Sequence, residues 1–134
     1  MTNPKDLIGR NKPSLSYVPP VALIHLAEAM RHGAEKYGPY NWREQPVSRT
    51  VYIDAAIRHL LRMLDGQVYD DDSALPHEAH VMACMAILLD ASACGTEEQD
   101  VKSGTAGRKA MERSGAVEQM IQVYSKYRSE KETN

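Results

Sequence analysis

Polar residues set into apolar helical patterns are the informative ones, because burying them costs free energy unless they are paired or bind something. His77, His80 and Cys84 are spaced three and four apart with Glu78 beside them, so on a helix the two histidines and the thiol share one face. Histidines one turn apart suit a metal ion or a phosphate; a capping histidine followed by a satisfied core histidine has the same spacing. A second series, Asp54, Arg58, Arg62 and Asp65, runs at intervals of four, four and three. It reads as a solvated face of ion pairs, or as a metal-ligating Asp54 with Arg58 clamping phosphate oxygens through its planar fork. His59 lies toward the apolar side of the same helix.

The segment 33–43, G-A-E-K-Y-G-P-Y-N-W-R, mixes Glu35, Lys36, Asn41, Trp42 and Arg43 with turn-forming glycines. Such a set suits a nucleotide: an aromatic face for the base, an amide for its edge and cations for phosphate. A helix end with a core tryptophan is the plain alternative. Asp70, Asp71 and Asp72 form an acidic run, either a solvated loop or carboxylates for Mg2+, which favours oxygen ligands with water and phosphate completing its octahedron. Lys12 in the N-terminal arm is within reach of a phosphate or simply exposed. The chain has no P-loop, no G-x-S-x-G, no zinc-type cysteine cluster and no H-E-x-x-H; H-E-A-H at 77–80 is one residue short of the last.

Helices must carry these residues. Residues 1–19, with Pro4, Pro13 and Pro19, predict an irregular arm. A first helix starts at Pro20, repeats Leu23, Leu26, Ala27, Met30 and Ala34, and stops at Gly38 and Pro39. A loop over 38–49 holds Trp42. A second helix, about 50–64, has the stripe Ile53, Ile57, Leu60, Leu61 and Leu64 and ends at Gly66. A third runs from near Pro76 to Cys94, closed by Gly95; from Val81 to Ala91 it is apolar on nearly every face, which in so small a chain predicts a dimer interface. Residues 95–109 have linker composition, and a last helix is expected over 116–128 with a frayed end. No strand pattern and no internal repeat stand out.

The 134 residues suit one all-α domain, here divided as a helical domain with its arm over 1–95 and a linker plus C-terminal helix over 96–134 belonging to the same domain. With 43% apolar and 25% charged residues and a net charge of −2, the chain is neither disordered in composition nor basic in the manner of a nucleic-acid binder. Cys84 and Cys94, on one helix, would stand about 15 Å apart, too far to bridge, which fits reduced thiols in a cytoplasm. There is no apolar signal core and no apolar run long enough for a bilayer, so a soluble cytoplasmic protein with no membrane partner is expected.

Five segments taken together carry a resemblance: K-P-S-L-S-Y-V-P-P (12–20), G-A-E-K-Y-G-P-Y-N-W-R (33–43), Y-I-D-A-A-I-R-H-L (52–60), D-D-D-S-A-L-P-H-E-A-H (70–80) and A-C-M-A-I-L-L-D-A (83–91). The chain resembles the bacteriophage dATP/dGTP diphosphohydrolase (MazZ-like) family, within the MazG-like all-α nucleotide pyrophosphatases. The resemblance implies a MazG-like helical bundle assembled as a dimer or dimer of dimers. It implies Mg2+-dependent cleavage (Mn2+ substituting) of a purine deoxynucleoside triphosphate to monophosphate and pyrophosphate, with dGMP feeding 2-aminoadenine DNA in a phage host. MazG-like proteins carry E-x-x-E and E-x-x-D on successive helices, and this chain has neither there; H-E-A-H takes the second place. The expected metal ligands are therefore Glu35, Asp54 and Asp72. Lys12, Lys36, Arg43, Arg58 and His59 are expected on the substrate with Asn41 and Trp42 on the base, and His77 or His80 as proton acceptor or outer partner. A histidine-rich HD-type phosphohydrolase would need a His-Asp dipeptide, which is missing. A non-catalytic helical module that dimerises through its third helix is the alternative from another class.

Overall fold

The computed structural model describes residues 3–98 and 100, and beyond them 115, 118, 119, 122, 123, 126, 129 and 130. The chain divides into two compact units, Met1–Asp100 and Val101–Asn134. In the second unit every described residue from Glu118 to Glu130 is helical. The rest of the expected linker and last helix lies outside the described residues.

The first unit is built from helices α1 (Pro4–Gly9), α2 (Pro20–Tyr37), α3 (Asn41–Glu44), α4 (Arg49–Leu64) and α5 (His77–Cys94). Two residue pairs, β1 (Val47–Ser48) and β2 (Glu97–Glu98), form a short parallel ladder. The three long helices fall where apolar period and stop signals put them. Pro20 occupies the first turn of α2, and Gly38 at φ 90° ends it with its N–H on the Ala34 carbonyl. Gly95 at φ 72° closes α5 through the Ala91 and Ser92 carbonyls.

Three expectations need correcting. The N-terminal arm is not wholly irregular: Asn3 caps α1 by accepting the Lys5 N–H, and Pro4 sits at its first turn, so local capping forms a six-residue helix in spite of the proline. The loop after α2 contains the single turn α3. The linker does not begin at 95, because the chain pairs Glu97 and Glu98 with Val47 and Ser48, Arg49 reaches Glu97 at 2.6 Å, and Thr50 bonds the Asp100 carboxylate. A two-residue parallel pair is too short to show as alternation in a sequence.

Helix α5 packs against α4, and α2 packs on α5. The contacts are made by small residues. Ala29, Ala79 and Ala83 form one cluster with Leu26, Met30 and Leu75 around it; Trp42, Val47 and Ala91 form the other, with Met30, Tyr52 and Ile87. Alanine at these contacts lets the helix backbones approach closely. Leu88 of α5 is buried, but many large aliphatic residues lie outside: Ile57, Leu60, Leu61 and Leu64 of α4 and Leu89 of α5 are exposed, Leu64 by 83% and Leu89 by 75%. Among the described residues no helix is long and apolar enough to cross a membrane.

Candidate functional site

Between α2, α4, α5 and the loop over 69–76 lies a pocket of about 340 Å3. Helical spacing determines what reaches it. On α2, His32 and Lys36 are one turn apart and both line it. On α4 the lining residues Tyr52, Ala55, His59 and Arg62 follow a three-to-four interval, and on α5 His80, Ala83, Cys84 and Ile87 do the same. Four of the five histidines gather at one end. The His59 and His80 rings stack at 4.7 Å, His59 and His77 lie 5.1 Å apart, and His32 meets His80 edge-on at 6.1 Å.

The loop that presents the acidic run is folded around Asp70. Tyr69 bridges Pro76, the Asp70 N–H donates to the Leu75 carbonyl, and Ala74 takes a left-handed φ of 59°. One Asp70 carboxylate oxygen accepts the Asp72 and Ser73 N–H groups and the Ser73 hydroxyl, a side chain organising its own loop. Ser73 Oγ in turn sits 2.6 Å from His80 Nε2. Asp70 is buried, with Arg62 at 3.5 Å and His80 Nε2 at 3.8 Å. Burial alone would raise its pKa, but the Ser73 donors and the adjacent imidazoles outweigh that and hold it below the usual carboxylate range. Asp72, by contrast, is exposed and bonds Lys36 and, at 3.2 Å, His32 Nε2. Lys36 and then His32 pull its pKa down, and Asp72 raises that of Lys36.

His59 and His80 are pushed below the ordinary histidine value, in both cases chiefly by burial, with neighbouring imidazoles and cations adding to it and the Asp70 carboxylate opposing it. At neutral pH both are therefore neutral and able to take up a proton or offer a lone pair. Burial raises the Cys84 thiol, which keeps it protonated, and both cysteines are free.

The structure brings Lys36, Asn41, Trp42, His59, Asp72 and His80 of the expected residues to the pocket, and His77 directly behind His59. Glu35 lies off the lining and pairs with Arg31 one turn earlier. Asp54 is exposed and absent from the lining: five residues before His59, it points roughly 140° around α4 from that ring. Arg58 is also exposed and off the lining. Lys12 lies with the α1 arm, away from this pocket. Arg43 is engaged elsewhere: its guanidinium grips Asp90 of α5 at 2.7 and 2.8 Å and lies 4.3 Å over the Tyr40 ring. Trp42 Nε1–H donates to the same Asp90 at 2.7 Å, and the indole is 6% exposed. Arg43, then Trp42, hold the Asp90 pKa far below the usual range. This trio fastens α3 to α5, and only a part of the indole reaches the pocket wall.

Sequence reasoning missed His32, Tyr52, Arg62 as a lining residue, Gln67 and the singular role of Asp70. The D-D-D-S run carried the signal for Asp70: an aspartate three residues before a serine is the pattern of a side chain capping its own turn. His32 and Tyr52 keep the helical spacing of Lys36 and His59 and were legible as members of those faces.

Magnesium needs a group of oxygen ligands. Glu35, Asp54 and Asp72 do not form one; among the described residues the group of three or more candidate ligands is His59, Asp70 and His77. The all-carboxylate site implied by the resemblance is not assembled by these residues.

No solved structure matches this chain. A dATP/dGTP diphosphohydrolase of Salmonella phage PMBT28 is 32% identical over 80 residues, which is 60% of this chain and 27% of that protein, so the chain spans about a quarter of that relative's length. The family described as "dATP/dGTP diphosphohydrolase, N-terminal" matches residues 2–101, the whole of the unit that holds the pocket apart from its first residue. On that match the chain belongs to the dATP/dGTP diphosphohydrolase N-terminal family.

Proposed function

We propose that the pocket binds a purine deoxynucleoside triphosphate and hydrolyses it to the monophosphate and pyrophosphate. The observation that carries this reading is the convergence on one pocket of groups suited to both ends of a nucleotide. Tyr37, Trp42 and Tyr52 supply apolar wall and Asn41 an amide, while Lys36 and Arg62 supply charge beside two neutral imidazoles. The family and its phage relative support the substrate class. In this reading the base and sugar lie against the aromatic wall and the phosphates run toward Lys36 and Arg62. Water adds to phosphorus, the bond between the α- and β-phosphates breaks, and pyrophosphate leaves. The proton from water passes to the neutral imidazole of His80, and the two cations oppose the charge growing on the departing oxygen. With dGTP the product is dGMP, a precursor for 2-aminoadenine nucleotides.

Incubating the full chain with each of the four dNTPs and either Mg2+ or Mn2+ tests the proposal. Monophosphate with equimolar pyrophosphate is expected, with purines turned over at least about tenfold faster than pyrimidines, a ratio set by contacts in the base pocket. Diphosphate with free phosphate, or no product with tight nucleotide binding, would sink it; the latter result points to a non-catalytic binding module.

The protomer is also proposed to assemble as a dimer or dimer of dimers. Ile57, Leu60, Leu61 and Leu64 on α4 and Met85 and Leu89 on α5 are exposed while the core is largely alanine, which inverts the usual distribution. Light scattering at micromolar concentration is expected to give at least twice the protomer mass; a folded monomer would contradict it.

A further inference from the structure

We infer that His59, Asp70 and His77 form a binding site for a divalent transition-metal ion of the Zn2+, Co2+, Mn2+ or Fe2+ class, in preference to Mg2+. The ligand atoms come from α4, from the folded loop and from the first residue of α5, and all lie within 4.8 Å of one another. His77 is fully buried, Asp70 is buried and His59 partly so.

The tautomer of His77 is set by its outer partner. Its Nε2 lies 2.9 Å from Gln67 Oε1, an acceptor, so Nε2 carries the hydrogen and Nδ1 is left with a lone pair. A histidine whose far N–H is fixed by a carbonyl is oriented as metal-ligating histidines are. That lone pair faces His59 Nδ1 at 2.8 Å. Two imidazole nitrogens this close need a proton or a cation between them. Without an ion, His59 donates its Nδ1–H to His77. With an ion about 2.1 Å from each nitrogen, neighbouring ligands would stand roughly 3.0 Å apart in an octahedral and about 3.4 Å apart in a tetrahedral site, so the pair would need to open by only a few tenths of an ångström to bridge one.

The donor set selects the class of ion. Two imidazoles with one carboxylate suit zinc, iron, cobalt and manganese, whereas Mg2+ prefers oxygen throughout. The Asp70 carboxylate is positioned by three donors from Ser73 and Asp72, an outer layer that would hold its orientation toward an ion. His59 and Asp70 both line the pocket, so open coordination positions would face whatever anion enters it. The site is defined by its own residues and is tested by metal binding, so it stands or falls separately from turnover in the pocket.

The test uses the full, untagged chain stripped with a chelator and titrated with Co2+, followed by visible absorption and calorimetry, with Zn2+, Mn2+ and Mg2+ in parallel. One Co2+ per chain is expected, with affinity at least about 10²-fold above that for Mg2+. Because His77→Ala removes a fully buried ring and risks the fold, the deciding variants are His59→Ala and Asp70→Asn. His59→Ala is expected to weaken Co2+ binding about 10²-fold while far-UV dichroism stays unchanged. Gln67→Leu, which frees the His77 tautomer, is expected to weaken it about 10-fold. Absence of Co2+ binding, binding untouched in both deciding variants, or a thiolate charge-transfer band assigning Cys84 or Cys94 as ligand would each overturn the inference.

Discussion

Replacing Trp42 by alanine is expected to unfold the protein well below the melting temperature of the parent chain. The indole is 6% exposed and sits in a cluster with Val47 and Ala91, packed by Met30, Tyr52 and Ile87. Truncating a buried tryptophan to alanine costs about 3–5 kcal/mol through lost burial and the cavity left behind, a large share of the roughly 5–15 kcal/mol that holds a domain together. The core here contains few other large side chains to close over the gap, since Ala29, Ala56, Ala79, Ala83 and Ala91 supply most of it. The same change strips Asp90 of one of its donors, loosening the hold of α3 on α5. A fall in Tm of roughly 10–20 °C follows. Trp42→Phe keeps most of the ring and loses only the Nε1–H bond, so it should fall much less. A Trp42→Ala chain that melts within a few degrees of the parent and shows only a raised KM would mean that the ring stacks on the base and does little for the core.

Trp42 shows why some of the site was legible and some was not. The sequence marks an aromatic residue between an amide and a cation, and that pattern fits a nucleotide or a core anchor equally. What separates them is Asp90, 48 positions away, whose carboxylate takes both the indole N–H and the Arg43 guanidinium. Periodicity located α2, α4 and α5 because each has a long apolar stripe and a glycine or proline at its end. It also put His80 and Cys84 on one face of α5, and both line the pocket. It failed for Asp54 and Arg58, because a series at intervals of four drifts around the helix and only its third member, Arg62, turns into the pocket. It failed for Asp70 against Asp72 because three adjacent carboxylates are equivalent until the loop folds. Then one accepts three donors and is buried, and another swings out to the ammonium of Lys36. The α1 arm and the β1–β2 ladder depend on a cap and on a contact some 50 residues apart, neither of which leaves a period.

Lys36→Met is expected to reduce kcat/KM for a purine dNTP by about 10²–10³-fold with no loss of thermal stability. The ammonium stands on the pocket wall, one turn from His32, and its partner among the described residues is the exposed carboxylate of Asp72. Exposed pairs of this kind contribute little to folding, since water screens both charges and two long side chains must be ordered. Methionine keeps the apolar stem and deletes the charge, so the fold has little to lose. A triphosphate brings several negative charges to the same place and develops more on the leaving pyrophosphate, and there a fixed cation acts on the transition state. Asp72→Asn separates the remaining possibilities. If Asp72 only holds Lys36 in the empty pocket, removing its charge frees the ammonium and lifts a repulsion on the phosphates, and KM should fall severalfold. If Asp72 binds a metal ion needed for turnover, the same change should reduce kcat by orders of magnitude, because a neutral amide is a poor ligand for a hard cation. Measuring both variants against dGTP, with melting curves alongside, decides which role each residue has. Full activity in Lys36→Met would leave Arg62 as the cation to examine on this wall.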